Sequence, residues 1–520
     1  MTSTELDGPS RHEVGSGFRV PLAARRRGLG GRAAPANAGT RGLPSGVSRG
    51  QEPRNGRLGS AIPNFRPHPG ATVTNTTRIR FIASLAFGLL VGAAAWNCAR
   101  AEKPKSRVLL VGVDAGEWDV LGPLLNEGKI PNFARMRDQG SAGKLRSLEP
   151  LTKSPIIWAS IATGKVPQKH GILDFFMKQL GRENARANAA NPGARTAKAA
   201  EGEAPATSNL WRARPIWDIL GGLGKTVGVV GWWTTWPALP VNGALVTDYI
   251  QYDTGSWPSK NSRRTYPDSL DATVERLRVK PENVSWAELF QFVTPIDTTH
   301  VTPRQEQLIH DLRWIYAADR TFCRVALELY RNKRPDFFTV YFRGVDEISH
   351  TYWDIDLPGG YAPPLTDAEL AWLKRLIPSY YIFTDRMLGE FLKEAGKDTD
   401  VIVCSDHGFQ GGGRGVMAHK LDGMIFMMGP HVEKGGSISG ATVLDVTPTI
   451  LAMFGLPTAR DMDGRPIPGG LEASLVKRME QETRLPTYET ARAPGKSEEP
   501  LRSPVDQELR ERLRSLGYIQ

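Results

Sequence analysis

The chain has 520 residues and a net charge of +11, and its length allows one large domain or two medium ones. The whole excess lies in residues 1–105, where 16 Lys and Arg stand against 5 Asp and Glu, so residues 106–520 are electrically balanced and indicate no nucleic-acid binding. Three widely spaced cysteines exclude a cysteine-based metal or redox motif: Cys98, Cys323 and Cys404.

The first hundred residues predict a leader. Residues 1–77 are basic, rich in Gly, Pro and Ser and without apolar periodicity, which is typical of a disordered segment. A start site assigned too early would also explain them. Residues 78–101 combine a basic start, an apolar run at 81–96 and an Ala-x-Ala end, which predicts an export signal. The signal is either cleaved or retained as a membrane anchor through 81–96, so we expect a periplasmic or extracellular protein.

The first strand of the predicted domain is followed by an acidic residue. Residues 107–113 (RVLLVGV) form a continuous apolar run, which predicts a strand buried on both faces of a parallel sheet. Asp114 follows at the end of the strand where open α/β sheets bind ligands, although an Asp there also serves as a helix cap. The apolar spacing then predicts a helix over 117–140.

The stretch 151–172 (LTKSPIIWASIATGKVPQKHGI) predicts a helix that starts from a hydroxyl-rich turn. Ser154 falls at the predicted N-cap and Pro155 at the first helical position. Unpaired backbone N–H groups and the helix dipole favour an anion there, either an alkoxide or a phosphate. A single Ser-Pro pair is more often an ordinary cap, so the functional interpretation depends on the rest of the chain.

Two segments without readable motifs flank the next strand. Residues 183–208 predict a disordered surface insertion, and 255–335 have mainly helical spacing and predict an inserted cap. Between them, 226–231 (TVGVVG) predicts a buried strand. It is followed by tryptophans that either line a pocket for a flat or apolar substrate group or pack as a lid over the sheet edge: Trp232, Trp233 and Trp236.

A third buried strand at 336–342 leads into a carboxylate and an imidazole. Asp346 and His350 have the spacing that brings two side chains to one side of a helical turn, close enough to share a metal ion. This spacing alone is weak, because a solvated helix face shows it as often.

A second helix, predicted over 370–395, leads to a strand at 400–404 and then to Asp406 and His407. Adjacent Asp and His side chains both turn inward only where a strand ends in a glycine loop, as the sequence has here. The loop brings His419 ahead of a further apolar strand at 424–428, and this cluster is the strongest signal in the chain. The predicted domain spans 106–475, and 476–520 form a charged tail with one short amphipathic piece.

Strands that alternate with helices predict an α/β fold with a doubly wound, mostly parallel sheet and helices on both faces. In such a sheet the candidate residues converge on one edge. Three Asp and three His suit Zn²⁺, with Mn²⁺ or another divalent ion as an alternative, and their number indicates two metal ions with a shared nucleophile. The predicted set is Asp114, Ser154, Asp346, His350, Asp406, His407 and His419.

Taken in order, these motifs resemble the alkaline phosphatase superfamily, in particular its type I phosphodiesterase/nucleotide pyrophosphatase branch. The resemblance covers most of 106–460 and rests on VGVDAGEWD, SPIIWASIATGKVPQKHGI, FRGVDEISH, SDHGF, MAHKLDG and DVTPTIL. It implies one metal on Asp346, His350 and His419. It implies a second metal on four residues: Asp114, Asp406, His407 and Ser154.

The resemblance also implies the nucleophile. The family nucleophile lies nine residues before the Thr of a Thr-Gly pair, and counting back from Thr163 gives Ser154, with Thr152 as the alternative. Diesterase relatives commonly carry an Asn three residues after the nucleophile, where this chain has Ile157. The match contains no Arg of the kind that clamps phosphate in the monoesterase branch, and the positive charge would come from Lys153 or Lys165.

The resemblance implies a metal-dependent hydrolase of small-molecule phosphate esters or nucleotide-like substrates, acting through a phosphoseryl intermediate. Phosphomonoesterase, phosphonate hydrolase and phospho-group transferase activities are alternatives on the same fold, and a non-catalytic surface protein is a further one. The sulfatase branch is disfavoured, because its nucleophile lies in a C/S-x-P-x-R motif and Ser154 is followed by PIIWA. The sequence carries no signal for an oligomeric state.

Overall fold

The computed structural model describes residues 106–519 except 151–152, 179–202, 253–261, 356–363, 412–418, 468 and 490–498. The predicted leader, the export signal at 78–101 and Thr152 lie outside the described residues. None of the described helices combines the length and apolarity needed to cross a bilayer.

Thirteen strands occur among the described residues. Their bounds are β1 Arg107–Val113, β2 Ser141–Arg146, β3 Phe176–Lys178, β4 Glu203–Pro205, β5 Val227–Val230, β6 Gly243–Val246, β7 Thr265–Tyr266, β8 Phe337–Phe342, β9 Thr399–Cys404, β10 Gly408–Phe409, β11 His419–Lys420, β12 Asp422–Met428 and β13 Gly436–Thr442.

Fourteen α-helices occur in the same part of the chain. Their bounds are α1 Trp118–Asn126, α2 Pro131–Asp138, α3 Ser154–Thr163, α4 Pro167–His170, α5 Ile216–Gly222, α6 Asp271–Leu277, α7 Trp286–Leu289, α8 Pro303–Lys333, α9 Gly344–Tyr352, α10 Asp367–Leu373, α11 Leu376–Ala395, α12 Val446–Met453, α13 Ala473–Glu480 and α14 Asp506–Ser515.

Nine strands form one mixed sheet in the order β13-β2-β12-β9-β1-β8-β5-β6-β7. The centre from β9 through β1 and β8 to β5 and β6 is parallel, and β12 and β7 pair antiparallel with their neighbours. The predicted α/β class and mostly parallel sheet are therefore confirmed. The five predicted strands correspond to β1, β5, β8, β9 and β12.

Helices cover both faces of the sheet, because successive side chains of the central strands point to opposite sides. In β1, Leu109 and Val111 face a core formed with α8, α9 and α11. Val108 and Leu110 face a second core formed with α3, α5 and α12. The central strands are therefore buried on both faces.

Three predicted elements differ from the observed ones. The helix expected over 117–140 is divided into α1 and α2, because Gly128 adopts a left-handed φ of 68° and Pro131 starts a new helix. The helix expected over 370–395 is divided at Lys374 and Arg375 into α10 and α11. The described end of the 183–208 insertion is structured, since β4 pairs with β3.

The predicted cap and tail both pack against the sheet domain in their described parts. Helix α8, the longest element within 255–335, contributes to the core on the sheet face that holds α9 and α11. In the tail, Val505, Leu509 and Leu513 are buried in the opposite core through α14. The boundaries of the cap and of the tail remain predictions.

Candidate active site

The predicted site residues meet at the carboxyl edge of the sheet. Strands β9, β1 and β8 are adjacent and parallel, so the segments that follow them leave the sheet side by side. Asp114 follows β1, Asp346 lies in the first turn of α9 after β8, and Asp406 follows β9. This is the edge where open α/β sheets bind ligands.

The first group of acceptors consists of Asp346, His350 and His419. The two imidazole Nε2 atoms are 2.8 Å apart, and each lies 3.5 Å from Asp346 Oδ1. In a tetrahedral zinc site with bonds of about 2.0–2.1 Å, the ligand atoms are separated by about 3.3 Å. Neither carboxylate oxygen of Asp346 has a hydrogen-bond partner among the described residues. The group has the spacing of a metal site.

The second group consists of Asp114, Asp406 and His407. His407 Nε2 lies 3.4 Å from both Asp114 Oδ1 and Asp406 Oδ2. His407 Nδ1 lies 3.0 Å from the carbonyl of Gly408 and donates to it, which leaves Nε2 as an acceptor. The two groups adjoin, because one carboxylate oxygen of Asp114, one of Asp346 and the Nε2 atom of His407 all lie within 4.8 Å of one another. We name the two groups together the acceptor cluster.

Burial and crowding control the charges of these residues. Burial, together with neighbouring Asp114, raises the pKa of Asp346 and of Asp406. Burial, reinforced by His407, lowers the pKa of His350 to about 3 and also lowers that of His419. The imidazoles are therefore neutral and able to coordinate. Three buried carboxylates this close are compensated best by cations, so the donor set fits two divalent metal ions.

Ser154 is the first residue of α3, the helix that is linked to this cluster through Trp158. Its Oγ is buried and has no hydrogen-bond partner among the described residues. One turn later on the same helix face, the indole N–H of Trp158 donates to Asp114 Oδ2 over 3.2 Å. The predicted N-cap position is wrong by one residue: Lys153 is the N-cap and Ser154 is the first helical residue.

The sequence did not indicate the residues that hold Asp114. Tyr341, in β8, donates its hydroxyl to Asp114 Oδ2, as Trp158 does. Trp233 in turn donates its indole N–H to the Tyr341 hydroxyl over 2.7 Å. The only sequence signal was a hydroxyl-bearing aromatic residue in an otherwise apolar strand.

The three tryptophans predicted near the substrate differ in their surroundings. Trp232 is fully buried, and its N–H faces the carbonyl of Trp158 at 3.3 Å. Trp236 stacks on Tyr249 with ring centroids 5.2 Å apart. These two pack as the lid alternative expects. Trp233 is connected to the acceptor cluster through side chains alone, because its N–H donates to the Tyr341 hydroxyl and that hydroxyl donates to Asp114.

The two lysines considered as sources of positive charge are both paired with carboxylates. Lys153 Nζ lies 2.5 Å from Asp174. Lys165 is buried between Asp461 and Glu489, each 2.7 Å away. It follows α3 at the end opposite Ser154, about 15 Å along the axis. Lys165 therefore stabilises the packing of the C-terminal region and lies away from the predicted nucleophile.

Two further observations concern Ile157 and the C-terminal segment. Ile157, at the position where diesterase relatives commonly carry Asn, is buried in the apolar core. Tyr518 of the predicted tail packs its ring against His350, with centroids 4.7 Å apart, and against Phe175 at 5.3 Å. The C-terminal segment thus reaches a predicted metal ligand, which no sequence motif indicated.

Comparison with solved structures gives remote likenesses. Phosphonoacetate hydrolase from Sinorhizobium meliloti 1021 is 16% identical, with a TM-score of 0.34; the alignment covers 59% of this chain and 57% of the hydrolase. Human ectonucleotide pyrophosphatase/phosphodiesterase 5 is 13% identical over 72% of this chain and 99% of its own, with a TM-score of 0.38. A 2-O GAG sulfatase is 10% identical over 74% of this chain and 76% of its own, with a TM-score of 0.42.

Sequence comparison is more specific. No curated protein matches the chain significantly. The family model for type I phosphodiesterase/nucleotide pyrophosphatase matches residues 108–443, which include Ser154 and every predicted metal ligand. The match covers well over half of the chain. The chain therefore belongs to the type I phosphodiesterase/nucleotide pyrophosphatase family.

Proposed function

We propose that the protein hydrolyses a small-molecule phosphate ester or nucleotide-like substrate with two divalent metal ions, Zn²⁺ in the first instance, and Ser154 as nucleophile. The observation that carries this proposal is a set of buried acceptors that have no hydrogen-bond partner among the described residues: Asp114 Oδ1, both oxygens of Asp346, Asp406 Oδ2 and His407 Nε2. The hydroxyl of Ser154 also has none, and Ser154 begins α3, the helix whose Trp158 bonds to Asp114. Buried polar atoms without partners are costly, and two adjoining Asp/His groups are the donor sets that divalent metals use.

Seven side chains would hold the ions. Asp346, His350 and His419 would hold one, and Asp114, Asp406 and His407 would hold the other together with Ser154 Oγ. The ions would lower the pKa of the serine hydroxyl and neutralise charge on the phosphoryl oxygens. The dipole of α3 adds favourable potential for an anion at Ser154.

The covalent steps involve Ser154 itself. Its Oγ forms a bond to phosphorus while the bond from phosphorus to the leaving oxygen breaks; the hydroxyl proton passes to solvent, and the leaving oxygen takes one. Water then bonds to phosphorus, the Ser154 Oγ–phosphorus bond breaks, and Oγ recovers a proton. Two displacements predict retained configuration at phosphorus.

Diesterase, monoesterase, phosphonate hydrolase and transferase activities are distinguished by substrate. Ile157 stands where diesterase relatives commonly carry an Asn and offers no side-chain amide. Monoesters are therefore tested on an equal footing with diesters. The decisive panel is p-nitrophenyl phosphate, bis-p-nitrophenyl phosphate and a nucleotide p-nitrophenyl ester, each with Zn²⁺, Mn²⁺ and Mg²⁺. A protein with less than one metal per chain and no EDTA-sensitive hydrolysis would instead be the non-catalytic surface protein.

Replacement of Ser154 tests the nucleophile. We expect Ser154→Ala to lower turnover by at least about 1000-fold, because the covalent step is lost. Metal content by mass spectrometry should stay near two per chain, because six ligands remain. Ser160→Ala is the matched control on the same helix, since its hydroxyl faces His170 at 3.0 Å and belongs to the core. Unchanged turnover in Ser154→Ala would transfer the assignment to Thr152.

A further inference from the structure

Two buried arginines lie next to the acceptor cluster. Arg343 joins β8 to α9, and Arg512 belongs to α14; their side chains are 3% and 10% exposed. Both contact one carboxylate, Glu347, with Arg343 Nη1 3.5 Å from Oε1 and Arg512 Nη2 3.1 Å from Oε2. We name Arg343 and Arg512 the arginine pair.

The arginine pair has unused hydrogen-bond donors. Arg343 Nε and Nη2 and Arg512 Nε are buried and lack partners among the described residues. The donors that are in use face the Tyr252 hydroxyl, at 3.3 Å, and Asp311 and Glu347, at 2.6 and 3.1 Å. A buried guanidinium N–H without a partner is costly, and the ligand that matches its planar fork is a carboxylate or a phosphate.

The spacing along α9 orients Arg343 toward the predicted metals. Arg343, Asp346 and His350 are separated by three and four residues, so they share one helix face. The Arg343 guanidinium lies 4.8 Å over the ring of Trp233, which is hydrogen bonded to Tyr341 and through it to Asp114. Arg343 is therefore connected to the acceptor cluster through Trp233 and Tyr341.

Arg512 approaches from the C-terminal segment that reaches the same cluster. Its guanidinium lies 4.3 Å over the ring of Trp314, and α14 is held by Leu509 and Leu513 in the core. Six residues further, Tyr518 packs against His350. The segment that carries Arg512 thus lines the candidate site.

We propose that the arginine pair binds a second anionic group of the substrate, a carboxylate or a phosphate, close to the scissile phosphoryl group. This inference rests on the proposed function and narrows its substrate class to phosphate esters that carry a second anion. The competing interpretation is a purely structural role, in which the two guanidiniums only neutralise Glu347 and connect α14 to α9.

The test compares rigid ligands that differ by one charged group. Calorimetric titration of the zinc-loaded protein with phenylphosphonate, 3-carboxyphenylphosphonate and 1,3-phenylenebisphosphonate measures what the second anion adds. We expect the two ligands with a second anionic group to bind about 10- to 100-fold more tightly than phenylphosphonate, as for charge-assisted hydrogen bonds. Comparing the affinity of 3-carboxyphenylphosphonate with that of 1,3-phenylenebisphosphonate shows whether the second anion is preferably a carboxylate or a phosphonate.

The variants separate binding from packing. Arg512→Met should abolish most of the difference between the ligands and leave phenylphosphonate affinity within about threefold, because only donors to the second anion are lost. Arg343→Lys should reduce the difference while retaining charge in the core. Arg514→Met is the matched control, since Arg514 lies on the same helix with an exposed side chain and should change neither affinity.

Two results would overturn the inference. If the wild-type protein binds all three ligands with equal affinity and still turns over a phosphoester, the role of the arginine pair in binding a second anion is refuted, and the proposed function is not. A loss of thermal stability in Arg512→Met with all three affinities reduced in proportion would establish the purely structural role. Absence of both turnover and phenylphosphonate binding would instead refute the proposed function, and the inference with it.

Discussion

Asp114 shows how residues outside the predicted set orient a predicted metal ligand. Trp158 and Tyr341 both donate to its Oδ2, while Oδ1 keeps no hydrogen-bond partner among the described residues and lies 3.4 Å from His407 Nε2. Donors on one carboxylate oxygen orient the other toward a cation, and such outer contacts typically change metal affinity by about 10- to 100-fold. The two aromatic residues are therefore positioning residues.

Tyr341→Phe tests this positioning role. We expect zinc affinity to fall about 10-fold, because Asp114 loses one of its two orienting donors and Trp233 loses its acceptor. Competition with a chromophoric chelator measures the affinity independently of turnover. Tyr488→Phe is the control, since among the described residues its hydroxyl bonds to the carbonyl of Pro457 and to no member of the acceptor cluster. Equal zinc affinity in the two variants would contradict the assignment.

At the scale of elements, the start of α9 determines where two predicted ligands lie. The carboxylate of Asp319 accepts the backbone N–H of Arg343 at 3.2 Å and of Gly344 at 3.1 Å, and it accepts the Tyr380 hydroxyl at 2.9 Å. A Cβ at Gly344 would lie 2.1 Å from the Tyr380 hydroxyl and 2.3 Å from Asp319. Only glycine fits this junction without movement of the cap.

Gly344→Ala should therefore displace the first turn of α9. We expect a loss of about 1–3 kcal/mol in the free energy of unfolding, as for overpacking, together with weaker metal binding by Asp346 and His350. Urea denaturation and zinc titration measure the two effects. Gly122→Ala within α1 is the control: nothing lies within 4 Å of its Cβ, and it should stabilise by about 0.5–1 kcal/mol. Normal metal binding in Gly344→Ala would contradict this role of the junction.

Two strands that sequence reasoning missed lie at one end of the large sheet. β2 (SAGKLR) and β13 (GSISGAT) are polar and glycine-rich, and they pair with each other beyond the antiparallel strand β12. Pattern recognition depends on apolar runs, which central strands have because both faces are buried. Edge strands lack that signal, so only their backbone pairing identifies them.

At the scale of the molecule, the candidate site joins the two layers of the domain. α9 belongs to the core on one face of the sheet, and α3 belongs to the core on the other face. A cation held by residues from both sides would connect the layers. Its binding free energy then becomes folding free energy.

Removal of metal should therefore destabilise the whole domain. When the free metal concentration is a hundred times Kd, each site adds about 2.7 kcal/mol to the free energy of unfolding. For a domain of this size, that corresponds to about 3 °C in Tm. EDTA should lower Tm in scanning calorimetry, and added Zn²⁺ should restore it. Asp346→Asn, which lacks a central carboxylate, should show a smaller shift. An unchanged Tm after complete removal of bound metal would exclude the two-metal site.

The sequence by itself determined the fold class, the central strands and the seven candidate residues of the site. These are local signals: an apolar run creates a strand, and a polar residue at its end is visible without knowledge of its neighbours. The tertiary structure decided what surrounds them, from Tyr341 and Trp158 on Asp114 to Arg512 and Tyr518 of the C-terminal segment. These contacts join residues far apart in the chain, where packing of the whole domain selects partners and no local pattern records them.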